Sequence, residues 1–184
     1  MKAFFTAFAV LSIGITLTIF MIRSTEVTTI AAEALTPAEN PLTAKWTGPH
    51  GGLPPFDKVK LADFKPALET AMAENLAEID KIASDPAKPT FENTIMALER
   101  SGHMLERVAT IYGIWATNMS SDEFEPIQTE MEPKLAAHGD KITQNAKLFK
   151  RIEAVYQNES KKRAVRGERY RLVWKYYTDF VRQG

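Results

Sequence analysis

From Phe64 to Phe180 the large apolar residues return every three or four positions, and no stretch alternates apolar with polar over the length of a strand. A spacing near 3.6 places such residues on one stripe of an α-helix, whereas a half-buried strand needs a period of two. The chain is thereby confined to an all-α fold. Phe64, Leu68, Met72, Leu76, Ile79 and Ile82 form the first stripe. Asp63 is placed to cap its start, and Pro66 is harmless in a first turn. Ser84 to Pro89 ends that helix. Thr90 caps the next, with Glu92 in its first turn, where the helix dipole favours an acid.

The second stripe runs Phe91, Ile95, Leu98, Gly102, Leu105, Ala109, Tyr112, Ala116, Met119. At 1.5 Å per residue it predicts one rod, Phe91–Met119, of roughly 43 Å. Gly102 and the two alanines leave room for a close neighbour, while Ile111, Ile114 and Trp115 widen the apolar face beyond one seam. An isolated chain is expected to leave part of that face bare. Ser120-Ser121-Asp122-Glu123 resembles a capping box for a third helix, with Pro126 moving the start toward Asp122. Phe124, Ile127, Met131, Leu135, His138 and Ile142 follow at helical spacing, with a bend expected at Pro133. Leu148 to Tyr156 marks a fourth helix and Gln157 to Ser160 a polar break. A fifth helix runs from about Lys161 through Phe180, with Gly184 as its C-terminal cap. Long antiparallel hairpins are the expected arrangement.

Ahead of the helices, Lys2 precedes an uncharged run, Ala3–Ile22, closed by Arg23. A positive start, an apolar run and a small-x-small triplet, Ala32-Glu33-Ala34, have the form of a secretory signal peptide. A run of about 20 residues is also long enough for an uncleaved membrane anchor, so residues 1–34 read as either, and both imply export. Thr36 to Thr43 reads as a linker. Residues 35–62 as a whole read as an extended Pro/Gly-rich lead-in, and 63–184 as the helical domain.

Composition excludes several function classes. Hydrophobic content of 45% and charged content of 25% belong to a folded globular chain. Formal net charge is zero, so no global field attracts nucleic acid. From Lys147 onward, eleven Lys or Arg face four acids; this reads as a solvated basic face or one that docks on an acidic partner surface. The absence of cysteine removes disulfides, thiolate metal sites and cysteine nucleophiles.

No residue constellation for chemistry emerges. His50, His103 and His138 are never three or four residues apart, so no helix face offers two imidazoles to a metal. Each reads as structural or superficial. Glu69, Glu74, Glu78 and Asp80 read as a solvated helix face. Tyr170, Trp174, Tyr176 and Tyr177 among Arg166, Arg169, Arg171 and Lys175 could stack bases, although such a stripe more often forms core or interface. No catalytic, cofactor-binding or metal-binding residue is predicted.

A set of blocks in fixed order says more. Asn40-Pro41-Leu42, Trp46, Pro54-Pro55-Phe56, Pro89-Thr90-Phe91-Glu92-Asn93-Thr94, His138-Gly139-Asp140-Lys141-Ile142, Leu148-Phe149-Lys150-Arg151-Ile152 and Phe180-Val181-Arg182-Gln183-Gly184 occur in succession. Together they resemble the N-terminal region of the thimet-oligopeptidase family of zinc metallopeptidases, most of all the bacterial peptidyl-dipeptidases (dipeptidyl carboxypeptidases), with oligopeptidase A next. The resemblance implies a two-lobed, nearly all-helical enzyme around a deep channel that admits short peptides, its N-terminal helices walling that channel. It also implies a zinc ion held by a His-Glu-x-x-His helix and a downstream Glu. That motif is absent from these 184 residues, so the resemblance carries no site residue to this chain and suggests a truncated product. The expected partners are short peptides and a C-terminal catalytic portion. The alternative is a standalone helical binding module anchored through Ala3–Ile22, with nucleic-acid binding third.

Overall fold

The computed structural model describes residues 39–47, 52–161 and 167–183, all within one compact unit, Pro37–Gly184. No strand occurs among the described residues. The elements are α1 (Leu61–Ala83), a π-helical stretch π1 (Phe91–Met96) running directly into α2 (Ala97–Glu99), then α3 (His103–Asn118), α4 (Glu125–Thr143), α5 (Ala146–Ser160) and α6 (Glu168–Gln183). The expected signal or anchor, Ala3–Ile22, the loop holding His50 and the terminal Gly184 lie outside the described residues. Among the described residues no helix is long and apolar enough to cross a membrane.

The lead-in is fastened at Asn40. Its side-chain oxygen accepts from the Leu42 amide at 2.9 Å, and its side-chain nitrogen donates to the Asp63 carbonyl at 2.8 Å. Leu42 is thereby set into the core with no exposed surface. The Thr36–Thr43 linker therefore gives way to packed structure by Asn40. Helix α1 begins at Leu61, earlier than expected. Asp63 is not its N-cap but its third residue, its carboxylate accepting from the Lys60 amide at 2.8 Å. An acid there still satisfies one of the amides that a helix start leaves free.

The second segment corrects the single-rod expectation. Phe91–Met119 is broken at Ser101-Gly102, where Gly102 takes φ 74°, and α3 starts afresh at His103. Only glycine adopts that left-handed conformation without a steric cost. Thr90 does cap this segment as expected. Its hydroxyl accepts from the Asn93 amide at 3.1 Å, while the Asn93 side chain accepts from the Thr90 amide at 2.7 Å. Helix α4 starts at Glu125 rather than near Ser120 or Asp122. Pro126 thus falls in its first turn, the position where a missing N–H costs nothing. Pro133 lies inside a helix that runs unbroken to Thr143. The polar break expected at Gln157–Ser160 is the last turn of α5 instead, and the helix after it begins at Glu168 rather than Lys161.

Helix α1 is the central element, packing on α3, α4, α5 and π1, while α5 packs chiefly on α6. The buried residues fall into two clusters. One joins Leu42 and the first half of α1 to α3 and α4, around Phe64, whose ring meets Tyr112, Trp115 and Phe124 edge-on at 5.2–6.1 Å. The other joins Ile79 and Ile82 of α1 to π1, α2, α5 and α6.

Candidate functional site

Two polar side chains that burial makes costly meet between those two clusters. Asn75 sits on the apolar stripe of α1 between Met72 and Ile79, and is almost fully buried. Its side-chain oxygen meets His138 Nε2 of α4 at 2.9 Å. His138 is equally buried. Burial, seconded by Lys141, holds its imidazole below the ordinary histidine range, so the ring is neutral and Nε2–H is the donor to Asn75. One turn along α1, Glu78 accepts from the Gly102 amide at 2.6 Å. A carboxylate on a backbone N–H is a charge-assisted bond, and it fixes the break in the second segment to α1.

Beside this seam lies a cleft of about 350 Å³, whose walls include Asn75, Leu98, Gly102, Leu105, Ile142 and Tyr176. The Tyr176 hydroxyl donates to Glu99 at 2.7 Å. Burial, reinforced by that carboxylate, keeps the phenol protonated far above its usual range. A second clasp ties α5 to the α1–π1 connection. Arg151, with its side chain 7% exposed, donates to the Asp85 and Ala87 carbonyls at 2.6 and 3.0 Å and pairs with the Asp85 carboxylate at 3.2 Å.

The histidines do not converge. His103 is exposed at the start of α3 beside Glu106, and His138 is committed to Asn75. No group of three or more His, Cys, Asp or Glu side chains able to hold a metal occurs among the described residues. Among the described residues the zinc implied by the resemblance has no fitting donor set. Two acids read as a solvated face have partners: Glu78 holds Gly102, and Glu69 receives Lys134 at 2.6 Å. Of the aromatic–basic stripe the tyrosines are engaged within the fold, Arg171 and Lys175 stay exposed, and Arg166 lies outside the described residues. Tyr170 and Tyr177 stack on Tyr156 at 6.2 and 4.2 Å, and Arg169 covers the Phe91 ring at 4.2 Å while pairing with Glu159. Trp174 remains exposed.

Asn75 was not singled out by the sequence reading, Glu78 was read as a solvated acid, and Arg151 entered only as part of a block that carries the resemblance. Asn75 and Arg151 each carried a usable signal, a polar residue in a slot of an apolar helical stripe.

Comparison with known proteins places the chain. No family model matches it. It is 33% identical over 145 residues to the dipeptidyl carboxypeptidase of Escherichia coli (strain K12), covering 79% of this chain and 21% of that protein. It is 34% identical over 118 residues to the dipeptidyl carboxypeptidase of Salmonella typhimurium, covering 64% of this chain and 17% of that protein. The chain belongs to the peptidyl-dipeptidase/oligopeptidase family, matching its N-terminal region. It spans about a fifth of the length of the curated relatives it matches. The blocks that carry the resemblance acquire physical jobs. Asn40-Pro41-Leu42 anchors the lead-in, Pro-Thr-Phe-Glu-Asn-Thr starts π1, and the His138 and Arg151 blocks supply the two buried clasps.

Proposed function

We propose that this chain supplies helical wall to the peptide channel of an exported dipeptidyl carboxypeptidase, whose catalytic groups lie outside these 184 residues. The observation that carries the reading is the alignment with two dipeptidyl carboxypeptidases over 79% and 64% of this chain. The buried polar clasps support it, because they commit Asn75, Glu78, His138 and Arg151 to holding helices together. Substrates would be short, unstructured peptides, and zinc would belong to the remainder of the enzyme. Residues 2–34 support export, by cleavage after Ala34 or by anchoring; N-terminal sequencing of the protein recovered from a cell envelope fraction separates the two.

A chimera tests the scaffold role. Pro37–Gly184 replaces the matched region of the Escherichia coli enzyme, and release of C-terminal dipeptides from short peptides is measured. Chelator-sensitive release is expected from the chimera and none from this chain alone with zinc added. A folded chimera without activity, or zinc-dependent turnover by the isolated chain, overturns the proposal.

A further inference from the structure

We propose that the cleft beside the seam binds one apolar residue of an uncharged peptide segment, with Asn75 Nδ2 donating to a carbonyl of that segment. The assignment stands on the cleft itself and not on the peptidase reading, and its test reads binding rather than hydrolysis.

The cleft measures about 350 Å³. Ligand sites begin at roughly 300 Å³, so this one has room for a single side chain and its peptide group rather than for a long segment. Ile79, Leu98, Leu105, Ala109 and Ile142 give it apolar walls. The donors on those walls are nearly all spent. The Tyr176 hydroxyl donates to Glu99 at 2.7 Å, the Ser101 hydroxyl to the Leu98 carbonyl at 2.8 Å, and the Gly102 amide to Glu78 at 2.6 Å. Asn75 Nδ2 is the exception, with no acceptor among the described residues.

The direction of that donor is fixed from behind. Asn75 is 6% exposed, and its Oδ1 is taken by His138 Nε2 at 2.9 Å. The amide cannot turn over without setting its own N–H against the imidazole donor. Nδ2 is left facing Gly102, where a Cβ would lie only 2.9 Å away. Because that residue is glycine, no side chain caps the donor, and both residues line the cleft. A buried N–H without a partner is costly, and a ligand acceptor relieves the cost.

Charge narrows the class of acceptor. Among the described residues no Lys or Arg lines the cleft, and its one acid, Glu106, is exposed at the edge. A ligand carboxylate would shed water there with no cation to receive it. A neutral carbonyl meets no such penalty. A peptide group also brings an N–H, for which the Glu106 carboxylate is an acceptor on the same wall. An apolar residue inside a peptide chain therefore matches the cleft in size, polarity and charge.

The probes are N-acetyl-leucine amide, which is neutral, and N-acetyl-leucine, which ends in a carboxylate. Each is titrated into the full chain while the side-chain NH₂ resonances of Asn75 are followed by NMR. The neutral probe should displace them saturably, and the acid should need at least tenfold more ligand for the same displacement. Ala109→Phe, which places a ring in the cleft from a half-buried position on α3, should weaken the neutral probe at least tenfold. No saturable displacement up to the solubility of the neutral probe overturns the assignment. So does an equal response to the acid, or unchanged affinity in a folded Ala109→Phe variant. Should that variant not fold, the two probes compared on the parent chain decide alone.

Discussion

Arg151 and His138 show how single side chains hold this fold at some cost. Arg151 brings a charge to a site where little water reaches it, and the site is favourable only because two carbonyls and a carboxylate receive it. Removing it strands those acceptors. Arg151→Met should destabilise the chain by about 3 kcal/mol, read from the urea midpoint, and a loss within about 0.5 kcal/mol, as at an ordinary surface position, would contradict the clasp. His138 works in the opposite sense, being held neutral. Its folded pKa lies below the unfolded value of 6.5, so the unfolded chain takes up the proton first as pH falls. Its contribution is therefore intact above about pH 6.5 and declines as pH drops through that value toward the folded pKa. Unfolding midpoints at pH 7 and pH 5 should differ less in His138→Gln, which keeps an amide donor toward Asn75, than in the parent. Equal pH dependence would mean that His138 titrates as freely folded as unfolded. Neither role was legible from residue type: the sequence marks both positions as polar within a stripe, while the partner on another helix appears only once the helices pack.

At the scale of elements, helical periodicity located the helices and misjudged their ends for a definable reason. The steps Leu98, Gly102, Leu105 keep the four–three rhythm straight through the break, because α3 resumes with its apolar face still toward α1. Spacing records which face is buried and is blind to a positive φ. The glycine itself was the signal, read as a packing notch rather than as a stop. Gly102→Ala tests the stop. A Cβ there would lie 2.9 Å from the Asn75 amide nitrogen, and an L-residue in the left-handed region costs roughly 1–2 kcal/mol before that contact is relieved. A loss of at least that size is expected in thermal or urea unfolding. An unchanged or raised midpoint would restore the continuous rod. The start of α4 teaches the converse lesson: Pro126 moved the expected start in the right direction, to Asp122, but the Ser120–Glu123 capping pattern held it short of Glu125.

For the whole molecule, what matters is the surface that these helices leave bare. The widened face expected on the second segment is partly covered: Ile111 is buried and Trp115 packs against the first cluster, while Ile114 and Met119 stay exposed. Helix α6 adds Trp174 and Val181, 47% and 56% exposed. Seven residues apart, they lie two turns along one face. Scattered apolar residues are normal on a surface, but a large aromatic and an aliphatic aligned on one helix face form a strip that water solvates poorly. The relatives that share this sequence are about five to six times longer than the region they share with it. Purified alone, the chain should self-associate as its concentration rises, seen by sedimentation velocity. Trp174→Lys with Val181→Lys should weaken that association at least tenfold, about 1.4 kcal/mol, without lowering the unfolding midpoint, because neither side chain is sealed within a cluster. A parent chain that remains monomeric at every accessible concentration would show that the strip asks for no partner.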